Sequence, residues 1–420
     1  RERGMVARWC CCCASPLEAR RLSFETERPA CLVQFIVGRG GGGHTASARA
    51  LRDCLLSRQV RWAAEVEFVD MGYLASKIMQ GRTTRFDADE LYNWLMRRGY
   101  YRLAALSGPV AQLFVRLARR KLERGLRRFW RERPPDAVVC FVPFFGTVLR
   151  ASLLAVCPST PLLTVVTDMA SSCAHNWIDP YDERESANQV IVAGSATLQQ
   201  QARELGYPPA HVLSTSGMVV HPSFYGDEVE AAEGGGLKKR VASPPLGGGH
   251  KGLEPVGVIF FGGFAPMRVE SIARRALRSH PSLRLVVICG GNSVLRLRLQ
   301  NLNEPRCVSE GFLLPERIRD IFLTADFVIG KPGPGVVAEA IVCGVPYVTE
   351  NVAPMSQETC VLEYLRSSGV GVLIPSLECL PLDLLKRCAA ARDRVTHLVK
   401  NRAVFEVADY LESVVKIVSE

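Results

Sequence analysis

Two rhythms of apolar and polar positions alternate along the chain. From residue 31, "CLVQFIV" is almost continuously apolar, "GRGGGG" carries next to no side chains, and "HTASARALRDCLLS" repeats apolar residues at helical spacing. That order predicts a strand, a tight turn and a helix. "AEVEFVDMG" predicts a second strand, and a long helical region with Tyr92, Trp94, Tyr100 and Tyr101 follows it. Helical or turn segments separate four further β-branched runs, "DAVVCFVPF", "PLLTVVTDM", "QVIVAG" and "HVLSTSGMVV". Strands that alternate with helices build a parallel, doubly wound sheet. The rhythm stops at residues 226–255, which are rich in Gly, Pro and charge without an apolar period, and read as a flexible insertion or linker. "VGVIFFGGFAP", "LRLVVICGG", "DFVIGKPGPG" and "PYVTENV" then restart it. Residues 401–420 close the chain as an amphipathic helix.

The pattern predicts an α/β protein with two Rossmann-like, doubly wound domains facing across a cleft. They span residues 31–225 and 256–400, with 1–30 as a disordered, Arg-rich leader. A chain of 420 residues suits two cores better than one. Open parallel sheets bind ligands at the carboxyl ends of their strands, so a ligand in the cleft would meet loops of both domains.

Composition adds two constraints. With 48% hydrophobic and 22% charged residues the chain reads as globular, and no apolar run approaches the roughly 18 residues of a membrane span. Any membrane contact is therefore expected at the surface. The net charge of +10 is concentrated in residues 97–133, which hold twelve Arg or Lys against Glu123 and Glu132. Those cations alternate with apolar residues at mostly helical spacing, with Gly108-Pro109 as a break. The stretch suits a solvated face on a core helix or an anionic lipid surface; no nucleic-acid motif accompanies it. Fifteen cysteines, an odd number, lack metal-type pairs beyond the run Cys10–Cys13, which argues for reduced thiols. That run, within a leader compatible with the remains of a transit peptide, suits metal binding, acylation or neither.

Four stretches carry candidate chemistry. Gly262 and Gly263 follow a strand and precede a helix expected near Val269, where unpaired N–H groups favour phosphate, although glycine after a strand is also structurally ordinary. Lys331 and the Gly333-Pro334-Gly335 turn lie at another strand end, with a helix expected from about Val336 and Glu339 in its first turn. A carboxylate there suits the vicinal diol of a ribose while the helix terminus receives a diphosphate; it also suits the helix dipole alone. Gln357 beside Glu358 is an amide–carboxylate pair able to read sugar hydroxyls, or an ordinary helix start. In the first domain Asp168 ends a strand, with His175 and Trp177 on the next loop and His44 at the end of the glycine run. The spacing does not favour a metal site, and general-base work is the better use of these histidines.

Taken in order, "GGGGHTASA", "PDAVVCFVPFF", "VVTDM" with "HNW", "SGMVVHPSF", "VVICGGN", "GF", "KPGPGVVAEAIVCGVP" and "SQE" resemble monogalactosyldiacylglycerol synthases across most of residues 31–410. The resemblance implies the two-domain GT-B glycosyltransferase fold. It further implies an inverting transfer of galactose from UDP-galactose to the 3-hydroxyl of 1,2-diacylglycerol, with no metal or other cofactor. His44 then matches the base, and Asp168 a residue that orients it or the acceptor hydroxyl. Gly42, Gly43, His175 and Trp177 match the acceptor side. Gly262, Gly263, Asn292, Phe312, Lys331, Gly333, Pro334, Gly335, Glu339, Gln357 and Glu358 match the donor side. Membrane attachment is implied through Arg119, Arg120, Lys121, Arg127, Arg128 and Trp130, with anionic phospholipid as an activator. The implied location is a peripheral membrane site, the plastid envelope in a photosynthetic source and otherwise a cytoplasmic membrane face. The chain departs from the family pattern at Phe264 and Ala265 in the glycine loop, at Val142 before Pro143, and at Val361. Those departures leave open a glucosyl or N-acetylglucosaminyl donor, or a catalytically weak binding homologue.

Overall fold

The computed structural model describes residues 31–40, 42–80, 88–98, 100–170, 177–226, 254–353 and 355–419. The expected leader (1–30) and most of the expected insertion (227–253) lie outside the described residues.

The first lobe begins with β1 (Val33–Val37), α1 (Gly43–Ser57), β2 (Glu67–Asp70), α2 (Met71–Gln80), α3 (Ala88–Arg98), α4 (Tyr101–Ala105) and α5 (Ser107–Glu132). It continues with β3 (Ala137–Cys140), α6 (Gly146–Leu154), β4 (Leu162–Val165), β5 (Gln189–Ala193), α7 (Ala196–Glu204) and β6 (Val212–Ser214). Its six strands are all parallel, in the order β2-β1-β3-β4-β5-β6. Every residue of β1, β3 and β4 is buried, which is why these strands read as unbroken apolar runs: helices cover both faces.

After a short 3-10 turn, Pro222–Tyr225, the second lobe is built from β7 (Val256–Phe260), α8 (Val269–Ser279), β8 (Arg284–Ile288), α9 (Ser293–Gln300), β9 (Cys307–Glu310) and α10 (Pro315–Leu323). β10 (Phe327–Ile329), α11 (Pro334–Val342), β11 (Tyr347–Glu350), α12 (Ser356–Ser368), β12 (Gly371–Ile374) and α13 (Leu384–Thr396) complete it. Its parallel sheet runs β12-β11-β10-β7-β8-β9. The two Rossmann-like lobes face one another across a cleft.

The last helix, α14 (Ala403–Ser419), returns to the first lobe. Val404, Val407, Ala408 and Leu411 join Phe35, Leu51 and Leu55 in one buried cluster. The break expected at Gly108-Pro109 falls just before it, at Leu106 between α4 and α5, and the pair lies in the first turn of α5, where proline's missing N–H costs nothing.

Candidate active site

In the first lobe the strand order reverses between β1 and β3, and the loops there open onto the cleft. The loop after β1 is held from outside. Arg39 N donates to Asp89 Oδ2 at 2.8 Å, and the Arg39 guanidinium pairs with Asp70 at 2.5 Å. Gly42 caps α1 with φ +81°, a left-handed conformation that disfavours any side chain. Nothing lies within 4 Å of where a Cβ would stand on Gly42 or Gly43, so both face open space.

His44 follows in the first turn of α1. Its Nδ1 lies 3.0 Å from Thr167 Oγ1, and its ring packs on Trp177 with centroids 5.6 Å apart. Trp177 Nε1 in turn donates to Asp168 Oδ2 at 2.7 Å. The imidazole keeps an accessible edge, yet the protein around it displaces water and lowers it to about 4. Desolvation likewise raises Asp168 to about 6, against the opposing pull of the indole hydrogen bond. His44, Asp168 and Trp177 thus form one cluster, but Asp168 is engaged by the indole, and the group bonded to the imidazole is Thr167. His175 lies outside the described residues.

In the second lobe the loop after β7 carries Gly262 at φ +86°, and neither Gly262 nor Gly263 would have a neighbour within 4 Å of a Cβ. Gly263 O accepts from Gly291 N at 2.9 Å, tying this loop to the turn after β8. Asn292 completes that staple. Its Oδ1 accepts from Leu295 N at 3.0 Å and its Nδ2 donates to Ala265 O at 2.8 Å, with the side chain buried. The Asn292 amide thus caps α9 and holds the glycine loop on the side where the donor is expected.

The loop after β10 makes a tight turn, Gly333 N donating to Lys331 O at 2.7 Å, and α11 starts at Pro334, two residues earlier than expected. Glu339 consequently sits in the second turn, not the first, and burial pushes its carboxyl up to about 8. Gln357 and Glu358 lie in the first turn of α12. Glu358 is buried and lies 3.5 Å from Lys331 Nζ; desolvation raises its carboxyl, which the lysine partly offsets. Phe312, in the loop after β9, is 72% exposed.

Two contributors escaped the sequence reading besides Thr167. Tyr92 on α3 stands beside the glycine loop, 3.8 Å from a Cβ placed on Gly40. Burial pushes its phenol up to about 12, and the charges of Glu358 and Asp168 add to the rise. Arg268, between the Gly262 loop and α8, makes a two-pronged contact with Glu350 at 3.3 and 3.0 Å and helps to lower Glu358. Lone tyrosines and arginines in a basic chain carry no spacing signal. Three of the four departures are packing residues: Ala265 and Val361 are in the second lobe's core, and Val142 lies 3.1 Å from a Cβ on Gly38; Phe264 pairs with Gly290 in an isolated antiparallel bridge.

The basic stretch forms α5. Arg119 and Arg127 share Glu123, at 2.7 and 3.5 Å, Arg128 pairs with Glu132 at 3.0 Å, and Lys121 donates to Met79 O at 2.6 Å. Trp130 cannot meet a membrane, which corrects that expectation: it is fully buried and its indole donates to Gln34 Oε1 at 2.9 Å. Beside these cations, α4, α5 and the residue that joins them expose an apolar stripe, with Leu103, Leu106, Val110, Leu113 and Leu117 between 55% and 81% accessible at helical spacing. No helix among the described residues is long and apolar enough to cross a membrane, and no group of three or more His, Cys, Asp or Glu is placed to hold a metal ion.

No protein-family model matches the chain. A rice (Oryza sativa subsp. indica) protein named as a probable monogalactosyldiacylglycerol synthase 2 is 28% identical over 365 residues, covering 81% of this chain and 70% of that protein. The spinach (Spinacia oleracea) monogalactosyldiacylglycerol synthase is 25% identical over 371 residues, covering 82% and 63%. Among solved structures, Acinetobacter baumannii MurG aligns with TM-score 0.52 and 13% identity over 92% of this chain and 100% of that one. The calicheamicin glycosyltransferase CalG4 aligns with TM-score 0.53 and 13% identity, covering 93% and 99%. The Neisseria meningitidis UDP-GlcNAc 2-epimerase aligns with TM-score 0.50 and 11% identity, covering 92% and 100%. The chain thus has the GT-B fold and is a distant relative of the monogalactosyldiacylglycerol synthases.

Proposed function

We propose that this chain is an inverting hexosyltransferase that moves galactose from UDP-galactose to the 3-hydroxyl of 1,2-diacylglycerol at an anionic membrane surface. The observation that carries the reading is His44: a desolvated, neutral imidazole in the cleft, beside Asp168, opposite a lobe with two open glycine loops and Lys331 against Glu358. A neutral imidazole can take the acceptor's proton at neutral pH as the anomeric carbon–oxygen bond forms. UDP departs from the opposite face with the bonding electrons, and backbone N–H groups at the α11 terminus, with Lys331, meet its developing charge. Glu339 receives the ribose hydroxyls, and Gln357 with Glu358 the sugar. His175 and Trp177 border the acceptor.

The apolar stripe of α4 and α5, flanked by Arg119, Arg120, Lys121, Arg127 and Arg128, supports attachment to the bilayer that holds the acceptor. In a photosynthetic source the plastid envelope is the expected membrane.

The test is sugar transfer to diacylglycerol in anionic vesicles, with UDP-galactose, UDP-glucose and UDP-N-acetylglucosamine compared and a chelator present. Galactose transfer should dominate and survive chelation. His44→Ala should lower turnover by about 100-fold or more while keeping UDP affinity. No transfer by the unmodified chain from any of the three donors would sink the reading.

A further inference from the structure

A neutral imidazole carries one proton, and two tautomers of similar energy compete for it. Only a tautomer with its lone pair aimed at the acceptor can serve as base. Whatever bonds the other nitrogen decides which tautomer is present. In this site that partner is uncharged. Asp168 spends an oxygen on the indole of Trp177, and among the described residues no hydrogen bond joins it to His44. Thr167 Oγ1, 3.0 Å from Nδ1, holds the position that a carboxylate would take in a histidine–carboxylate pair.

We infer that Thr167 is a positioning residue: its hydroxyl oxygen accepts the Nδ1–H of His44, holding the imidazole in the tautomer whose lone pair is on Nε2. The inference rests on the transferase reading for its chemical use, not for its geometry. Both partners are held by the scaffold. Thr167 follows β4, an interior strand of the sheet, and Val166 N still reaches Val192 O at 3.4 Å, so the backbone remains close to the ladder just before it. Its β-branched side chain has few rotamers to exchange. His44 is set by α1, whose start is tied back by Thr45 Oγ1 donating to Gly38 O at 3.0 Å.

A hydroxyl also does what a carboxylate would not. When it accepts from Nδ1–H it holds the Nε2 lone pair free without adding a negative charge that would favour the imidazolium, so His44 stays unprotonated in the neutral range. When the acceptor's proton moves to Nε2, the new imidazolium keeps Nδ1–H directed at Thr167. The anomeric carbon gains the acceptor oxygen and loses the phosphate oxygen, with no rotation of the ring.

The test uses the whole chain with 15N-labelled histidine. Two-bond proton–nitrogen spectra report the tautomer, and His44→Gln identifies the His44 signals. The unmodified chain and Thr167→Ser should show Nδ1–H, whereas Thr167→Val should show Nε2–H or a mixture. With a UDP-sugar and diacylglycerol, Thr167→Val should lower kcat by about 10-fold to 100-fold with KM for the donor nearly unchanged, and Thr167→Ser should recover most of it. Predominant Nε2–H in the unmodified chain, or Nδ1–H persisting in Thr167→Val, overturns the inference. If the unmodified chain transfers no sugar, the transferase reading fails while the spectra still decide what Thr167 does.

Discussion

At the scale of single residues, Asp168 is held in a state that costs stability at neutral pH. Burial raises its carboxyl from the usual range to about 6. The unfolded chain ionises this group near 4, so between pH 4 and 6 the folded state binds more protons, and the carboxyl's favourable contribution to folding is lost as the pH rises. Above pH 6 the cost is constant. Asp168→Asn removes it, since an amide oxygen can still accept the Trp177 indole N–H. The variant should be more stable than the parent by about 1 to 2 kcal/mol at pH 7, a figure reduced for the accessible edge of the side chain, and the advantage should vanish below pH 4. Urea denaturation at several pH values measures this. A variant equally or less stable at pH 7 would show that the carboxylate charge is compensated by something other than the indole.

At the scale of elements, α5 divides its labour along its length. The buried positions Val115, Leu122, Leu126 and Trp130 anchor it to the first sheet, while Leu113 and Leu117 point outward. A double change, Leu113→Asp with Leu117→Asp, should leave the thermal midpoint within about 2 °C, because exposed positions contribute little to folding. It should abolish co-sedimentation with anionic vesicles. Retained binding would move the membrane contact elsewhere. The amphipathic character of this stretch was legible because cations and leucines alternate at helical spacing. The role of Trp130 was not, since an aromatic at the end of a basic helix reads the same whether it meets lipid or, as here, a buried glutamine. Likewise Glu339 was legible as an acid after a glycine turn, but the proline that sets the helix start shifted its turn by two residues. Thr167, one residue from Asp168, was invisible to spacing because a threonine at a strand end is ordinary; only the meeting of β4 with α1 gives it a role.

At the scale of the whole molecule, both parallel sheets were legible because strands buried on two faces leave continuous apolar runs. The path of the last helix was not, because its apolar face states that it packs, not against which lobe. It crosses back, and three contacts beside the crossing join distant segments. Arg58 pairs with Asp409 at 2.6 Å, Ser216 N donates to Glu406 at 2.8 Å, and Ser223 Oγ donates to Glu316 at 2.6 Å. The core of the first lobe therefore depends on residues that follow the second lobe in sequence. Leu411→Ala, which empties a fully buried position among β1 and α1 side chains, should cost about 2 to 5 kcal/mol. Its effect should be local. Hydrogen exchange should accelerate in β1 and α1 and remain unchanged in β7 and β8, and the second lobe should keep its UDP affinity. Acceleration confined to β7 and β8 would instead mean that α14 stabilises the lobe preceding it in sequence, and the crossing would have no part in holding the acceptor side together.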